Sequence, residues 1–470
     1  MNIKHNDIVI DLNKPFKNDA LKREKYAKIL SGIVSTYADG FVLAINNEWG
    51  TGKTTFVKMW QQQLNIDGFQ TLYFNAWEND FERNPLVALM GELKSLVKSD
   101  SKEFKSLLKK GAVITKNILP HLLKAIASKY IDTEILVNAI EDASKSATEI
   151  LSDEIKEYSE KKDGMKEFRE SLSKLIETTK GNKPVVFIID ELDRCRPSYA
   201  VELLEQVKHF FSVAGIVFVL SIDKTQLGYA IKGAYGNDKI NTDEYLRRFI
   251  DIEYSIPDPD TKAFCKYLSK YFDFESFFHS ERRRRDFKDV WNDLELLITF
   301  SSALFEKAKV TLRQQEKIFA HIRLGLNLSD ANEYIFPSLY LMLIFIKTFH
   351  EEFYLNMKLK KLKLEDLGKE LLKIMPTGIQ DDESKYFIEI EALMVCMYNN
   401  YYYNTNSRNL IKKDSKTNEL NSIIGSAIDN SKNNDVFIEF INMFNNHHNY
   451  NFTKIDHLFK KIDLIAEVIT

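Results

Sequence analysis

Gly50, Gly52, Lys53 and Thr54 stand at the spacing of a loop that wraps a polyanion, and they follow the apolar run Phe41-Val42-Leu43-Ala44-Ile45. The two glycines let the main chain approach phosphate oxygens, and a helix opening at the lysine points its unpaired N–H groups at them. Lys53 supplies a point charge to the β- and γ-phosphates, and the Thr54 hydroxyl is a hard oxygen suited to Mg²⁺. The nucleotide-binding segment is therefore read as Asn47-Glu48-Trp49-Gly50-Thr51-Gly52-Lys53-Thr54-Thr55. It departs from G-x-x-x-x-G-K-[ST] at its first glycine, which is Asn47. Asparagine enters the left-handed region more readily than most residues, so a left-handed Asn47 is expected to preserve the turn.

A second constellation lies well downstream. Val185-Val186-Phe187-Ile188-Ile189 has the β-branched richness of a buried parallel strand and ends in Asp190 and Glu191. Asp190 falls where a Mg²⁺ carboxylate is needed, and Glu191 where an acid can orient and deprotonate the attacking water. For a single strand, two acids capping a turn would be the ordinary reading; paired with the phosphate loop they point to nucleotide hydrolysis. Asp223 ends a further predicted strand, where it either senses the γ-phosphate through water or caps the helix starting at Lys224. Arg247 and Arg248 precede the last predicted strand and are read either as a source of an arginine finger for a neighbouring subunit or as a salt-bridged surface pair. Arg313 is a candidate phosphate contact, and Trp77 reads as core packing rather than a base-stacking platform.

The 470 residues bound the answer at two to four domains. Lys plus Arg is 65 against 68 Asp plus Glu, a net charge of −3, which argues against bulk electrostatic attraction to nucleic acid. Glu281-Arg282-Arg283-Arg284-Arg285-Asp286 and Lys358-Leu359-Lys360-Lys361-Leu362-Lys363 are basic runs without interleaved aromatics and read as solvated helix faces before nucleic-acid contacts. Cys195, Cys265 and Cys396 are far apart and form no metal or disulfide pattern, as in a reducing cytoplasm. There is no secretory h-region and no apolar run of the roughly 18 to 20 residues a spanning helix needs, so a cytoplasmic chain is expected. Gly111 to Ala127 is broken by polar residues and Ile335 to Ile346 is too short; both read as helices with a buried face.

These residues need elements to hold them. Helical spacing is read over Leu21 to Tyr37, Asn84 to Val97, Tyr199 to Phe211 and Lys224 to Ala234, and strands over Thr71 to Trp77, Val185 to Asp190, Ile216 to Asp223 and Phe249 to Ile256. Strands alternating with helices imply an α/β fold, a parallel sheet flanked by helices. The expected organisation is a nucleotide-binding core over 1–93 and 181–260, split by a helical insertion over 94–180, then a helical lid-like region over 261–370 and an Asn-rich helical region over 371–470. Within the last, Tyr398 to Asn404 reads as loop or biased composition.

Taken together, these landmarks resemble the KAP family of P-loop NTPases. The residues that carry the resemblance are Glu48 to Thr54, Phe74-Asn75-Ala76-Trp77-Glu78 with Asn84-Pro85-Leu86, Phe168-Arg169-Glu170, Ile189 to Pro197, Val219 to Asp223, Tyr245 to Phe249 and Leu312 to Glu316. The resemblance implies an ATPase of the additional-strand class that uses ATP and Mg²⁺, with the water-activating acid beside the metal acid. It also implies an insertion that in many members crosses the membrane; here it is too polar to span. Many members have Asp where Glu191 stands. Some prokaryotic members resemble or are linked to phage-exclusion systems, which extends to this chain by analogy alone.

The leading expectation is a Mg²⁺-dependent ATPase working as a conformational switch, assembled as a homo-oligomer and acting on a protein partner or effector, with anti-phage defence as a setting. The alternative is a scaffold that binds ATP to assemble partners without hydrolysis, which would have no need of Glu191. A GTPase is disfavoured by the lack of an N-K-x-D motif.

Overall fold

The computed structural model describes residues 8–37, 40–82, 84–97, 101–114, 152–179, 181–280, 293–327, 336–376, 381–404, 408–413, 420–431, 434–446 and 454–469. The Glu281-to-Asp286 run and most of Gly111 to Ala127 lie outside them. The chain divides into two compact units between Asp258 and Pro259, inside Pro257-Asp258-Pro259-Asp260.

The first unit runs α1 (Glu24–Thr36), β1 (Phe41–Asn46), α2 (Lys53–Ile66), β2 (Gln70–Asn75), α3 (Pro85–Leu93), α4 (Lys102–Ile114), α5 (Ser152–Thr179), β3 (Val185–Asp190), α6 (Pro197–Phe210), β4 (Ile216–Ile222), α7 (Lys224–Tyr235), α8 (Thr242–Leu246) and β5 (Ile252–Tyr254). The strands form one parallel sheet in the order β2-β3-β4-β1-β5. Alternation along each strand supplies its two faces. Leu43, Ile45, Val186, Ile188, Val217 and Val219 meet Leu30, Val34, Val57, Trp60 and Leu64 of α1 and α2. Val185, Phe187, Ile189, Phe218 and Leu220 meet helices of the opposite face, including Leu89, Leu203 and Leu227. The inserted helices α4 and α5 join this second core through Leu107, Phe168 and Leu172. Every residue of β3 and β4 is buried, which is why both read as unbroken apolar runs rather than alternating ones.

Register fixes where the chemistry gathers. Asn75 of β2 pairs with Asp190 of β3, Asp190 with Ser221 of β4, and Asn46 of β1 with Ile222. The C-terminal ends of four neighbouring strands therefore lie in one row. Predicted boundaries shift here: β2 stops at Asn75, before Trp77, and β5 is a short edge strand of Ile252–Tyr254 rather than Phe249 to Ile256.

The second unit is helical: α9 (Thr261–Tyr271), α10 (Phe274–Phe278), α11 (Asp293–Lys307), α12 (Leu312–Asn327), α13 (Pro337–Phe349), α14 (Glu351–Lys358), α15 (Leu364–Ile374), α16 (Asp381–Tyr403), β6 (Ile411–Lys413), β7 (Leu420–Ser422), α17 (Asp435–Asn446) and α18 (Asp456–Ile469). In α13 all of Pro337 to Ile346 is buried, so it is enclosed on every side rather than on one face. One further reading is corrected. Tyr398 to Tyr403 is the last turn and a half of α16, not loop: buried Tyr398 donates to the Leu362 carbonyl at 2.7 Å, Asn399 donates to the Arg408 carbonyl at 2.8 Å, and Tyr401 donates to the Lys358 carbonyl at 2.6 Å. Tertiary partners override the modest helix preference of asparagine. The antiparallel pair β6–β7 had no legible signal in so polar a stretch.

Among the described residues no helix is long and apolar enough to cross a membrane.

Candidate functional site

The turn from β1 into α2 demands glycine twice: φ is +80° at Gly50 and +81° at Gly52, the left-handed region that strains a side chain. Asn47 is not left-handed, which corrects the expectation for it. Its role is carried by its side chain: Nδ2 donates to the Ile256 carbonyl at 2.7 Å, and Oδ1 accepts from the Ile256 N–H at 2.9 Å. The amide thus completes a two-bond ladder between the start of the loop and the segment after β5, a task no glycine can perform. Thr51 Oγ1 donates to the Glu48 carbonyl at 2.8 Å and tightens the tip. Thr54 and Thr55 are half-buried in the first turn of α2.

Lys53 is buried, and its ammonium donates to the Asn47 carbonyl at 2.5 Å and the Glu48 carbonyl at 3.0 Å. Burial lowers its pKa, while the carboxylates of Asp193, Asp223 and Asp190 act against that shift. Asp190 and Asp193 come from the end of β3 and the turn after it, and Asp223 from the start of α7. Asp190, 1% exposed at the end of β3, accepts from the Tyr73 hydroxyl at 2.9 Å and from the Glu191 N–H at 3.0 Å. Burial, then the Asp190 charge, pushes the Tyr73 phenol well above its ordinary range, so it stays a donor. Asp223 is the N-cap of α7, with Oδ1 accepting from Thr225 N and Gln226 N at 3.1 Å each. Its Oδ2 accepts the Trp49 N–H at 3.1 Å, joining the cap to the phosphate loop.

Glu191 sits at φ +60°, a left-handed non-glycine residue at the turn after β3. Its carboxylate reaches Arg194 Nη1 at 3.1 Å and accepts from Asn75 Nδ2 at 3.4 Å. Burial raises its pKa, opposed by Arg194 and reinforced by Asp190.

Lys53, Asp190, Glu191 and Asp223 are thus brought together with the loop. Arg247 and Arg248 are not part of this cluster: both are exposed at the C-terminal end of α8, with Arg247 3.3 Å from Glu244. Arg313 is exposed on α12. Trp77 is 53% exposed, so it is not core, because it lies in the turn after β2 instead of within the strand. The Trp49 ring is 43% exposed, and its indole N–H donates to Asp193.

Several participants had no motif to announce them. Arg23, 4% exposed just before α1, donates through Nη1 to the Thr51 carbonyl at 2.7 Å and props the loop from behind. Tyr73, Asn75 and Arg194 hold the acids, and Asp193 holds the Trp49 indole. Of these, Asn75 and Arg194 were visible only inside longer matched stretches, and Tyr73 only as an alternating strand residue.

The donor set suits Mg²⁺: a hydroxyl from Thr54 and a carboxylate from Asp190 are hard oxygens, and this ion takes one or two protein ligands with the rest from phosphate and water. The described residues contain no cluster of three or more His, Cys, Asp or Glu of the kind a closed protein cage would need.

A family model described as the KAP family P-loop domain matches residues 23–323. No curated protein matches the chain. Among solved structures, one described as the Aeropyrum pernix ORC2 protein in ADPNP–ADP complexes is similar at 12% identity, covering 90% of this chain and 94% of that one with a TM-score of 0.33.

Proposed function

The chain belongs to the KAP family of P-loop NTPases, and from that premise we propose that it is a Mg²⁺-dependent ATPase working as a conformational switch. The observation that carries this reading is the glycine-shaped loop with its buried Lys53 set beside the row of strand ends that carries Asp190, and tied by the Trp49 N–H to Asp223. Such a set suits a phosphate chain with its cation, since the loop and Lys53 meet the phosphates and a carboxylate beside them meets the metal.

In the proposed reaction, loop amides cradle the phosphates and Lys53 leaves the Asn47 and Glu48 carbonyls for them. Thr54 and Asp190 would hold Mg²⁺, which when bound supplies neutralisation of phosphate charge. Glu191 takes the proton of the attacking water, a task its burial-raised basicity favours. Asp223, tied at once to the Trp49 N–H and the start of α7, relays a change in the loop to a helix.

The enzyme acts as a homo-oligomer in this proposal, with exposed Arg247 or Arg248 completing a neighbour's site, and it signals to a protein effector. Anti-phage defence is the setting we favour, by analogy with the family's phage-exclusion members.

Lys53→Ala is expected to lose ATP binding, whereas Glu191→Gln retains binding and loses turnover by about 10²-fold or more. Equal phosphate release by wild type and Glu191→Gln would instead support an ATP-binding scaffold. Equal phage sensitivity of cells with and without the wild-type protein would refute the defence setting, and full restriction by Lys53→Ala cells would refute its dependence on ATP binding.

A further inference from the structure

A glutamate in the left-handed turn after β3 has no regular element to fix its side chain. Two groups do so instead, and they differ in quality: Asn75 donates at a long 3.4 Å, while Arg194 lies 3.1 Å away and carries a full charge. The guanidinium is itself held. Its centre lies 5.7 Å from the Trp77 ring and 6.0 Å from the Trp49 ring, within range of both π faces. Trp49 belongs to the phosphate loop, with its indole N–H on Asp193 and its main-chain N–H on Asp223. A continuous set of contacts therefore runs from the loop through Trp49 and Arg194 to the Glu191 carboxylate.

We propose that Arg194 is a positioning residue for the hydrolytic step: braced on Trp49 and Trp77, it aims Glu191 at the attacking water and makes that aim depend on the conformation of the phosphate loop. The proposal rests on the reading of Glu191 as the water-activating acid. It follows from geometry, because a planar fork held near two aromatic rings can present one N–H edge in a preferred direction, which a lysine does less well.

The test compares wild type, Arg194→Gln, Glu191→Gln and the double variant in single-turnover ATP hydrolysis, alongside equilibrium binding of a fluorescent ATP analogue. Arg194→Gln is expected to bind within about threefold of wild type and to turn over about tenfold more slowly or worse. The double variant should be no slower than Glu191→Gln alone, since Arg194 acts through that carboxylate. Arg194→Lys should restore part of the rate. An additive loss in the double variant, or matching losses of affinity and rate in Arg194→Gln, overturns the proposal. If Arg194→Gln unfolds, Trp77→Ala replaces it, because that side chain is half exposed and outside the core; it too must slow turnover without adding to Glu191→Gln. Equal turnover by wild type and Glu191→Gln removes both the Glu191 reading and this one, whereas a deficient Glu191→Gln with an additive double variant removes this one alone.

Discussion

Asn47→Gly restores the glycine of the usual loop pattern, and the structure predicts that it weakens the protein. The substitution deletes two hydrogen bonds to Ile256, at 2.7 and 2.9 Å, each worth about 1 kcal/mol net. Ile256 is 2% exposed, so its N–H and carbonyl have poor access to water and the loss moves towards the cost of unsatisfied groups, about 1–3 kcal/mol. Glycine adds roughly 0.5–1 kcal/mol of backbone entropy, and gains nothing in return where φ is not positive. The total is about 3 kcal/mol. Urea unfolding followed by tryptophan emission reads it, because Trp60 is fully buried on α2 directly behind the loop. With an m-value of about 3 kcal/mol/M the midpoint should fall by about 1 M. A shift below about 0.2 M, or a gain in stability, would refute the claim that the Asn47 side chain holds the loop to the segment after β5.

Three further outcomes are expected. Burial pushes the Glu391 carboxyl from 4.5 up to about 7, so the folded state holds a proton that the unfolded state releases, and stability should fall as pH rises through that window by on the order of 3 kcal/mol. Glu391→Gln, which can still accept from Ala427 N and meet Ser426 Oγ, should flatten the dependence of the thermal midpoint on pH between about 5 and 8; identical profiles for wild type and variant would contradict it. Tyr73→Phe removes the 2.9 Å hydroxyl bond to Asp190, a bond to a charged acceptor worth about 1.5–3 kcal/mol, and should raise the Mg²⁺ concentration for half-maximal hydrolysis roughly tenfold, whereas an unchanged Mg²⁺ titration would show that Asp190 needs no orientation. The double change Arg247→Ala, Arg248→Ala should depress turnover with little loss of ATP affinity and be partly rescued by mixing with Lys53→Ala; activity independent of protein concentration, with no rescue, leaves both as surface charges.

The second unit shows where sequence periodicity runs out. Near-continuous apolarity from Pro337 to Ile346 and a run of Tyr and Asn from Tyr398 to Asn404 look unlike amphipathic helices; Tyr398 and Tyr401 of the second bond to carbonyls 36 and 43 positions away. Amphipathic spacing reports one buried face, and neither stretch has only one.

The chemistry of the first unit was local enough to read directly. Glycines at 50 and 52, a lysine and threonine after them, and two acids closing an apolar strand are each dictated by backbone geometry or by phosphate and Mg²⁺ chemistry within a few residues, so spacing alone carries them. The parallel sheet was legible for the same reason, because strands buried on both faces must be apolar throughout. What positions the acids was not legible. Asn47 on Ile256, Tyr73 on Asp190, Arg23 on Thr51 and Trp49 on both Asp193 and Asp223 join residues 28 to 209 positions apart, and only the pairing of the five strands and the packing of α1 bring them together. Hydrogen bonds of that separation leave no periodic trace, since each depends on two groups whose meeting is decided by how distant elements pack.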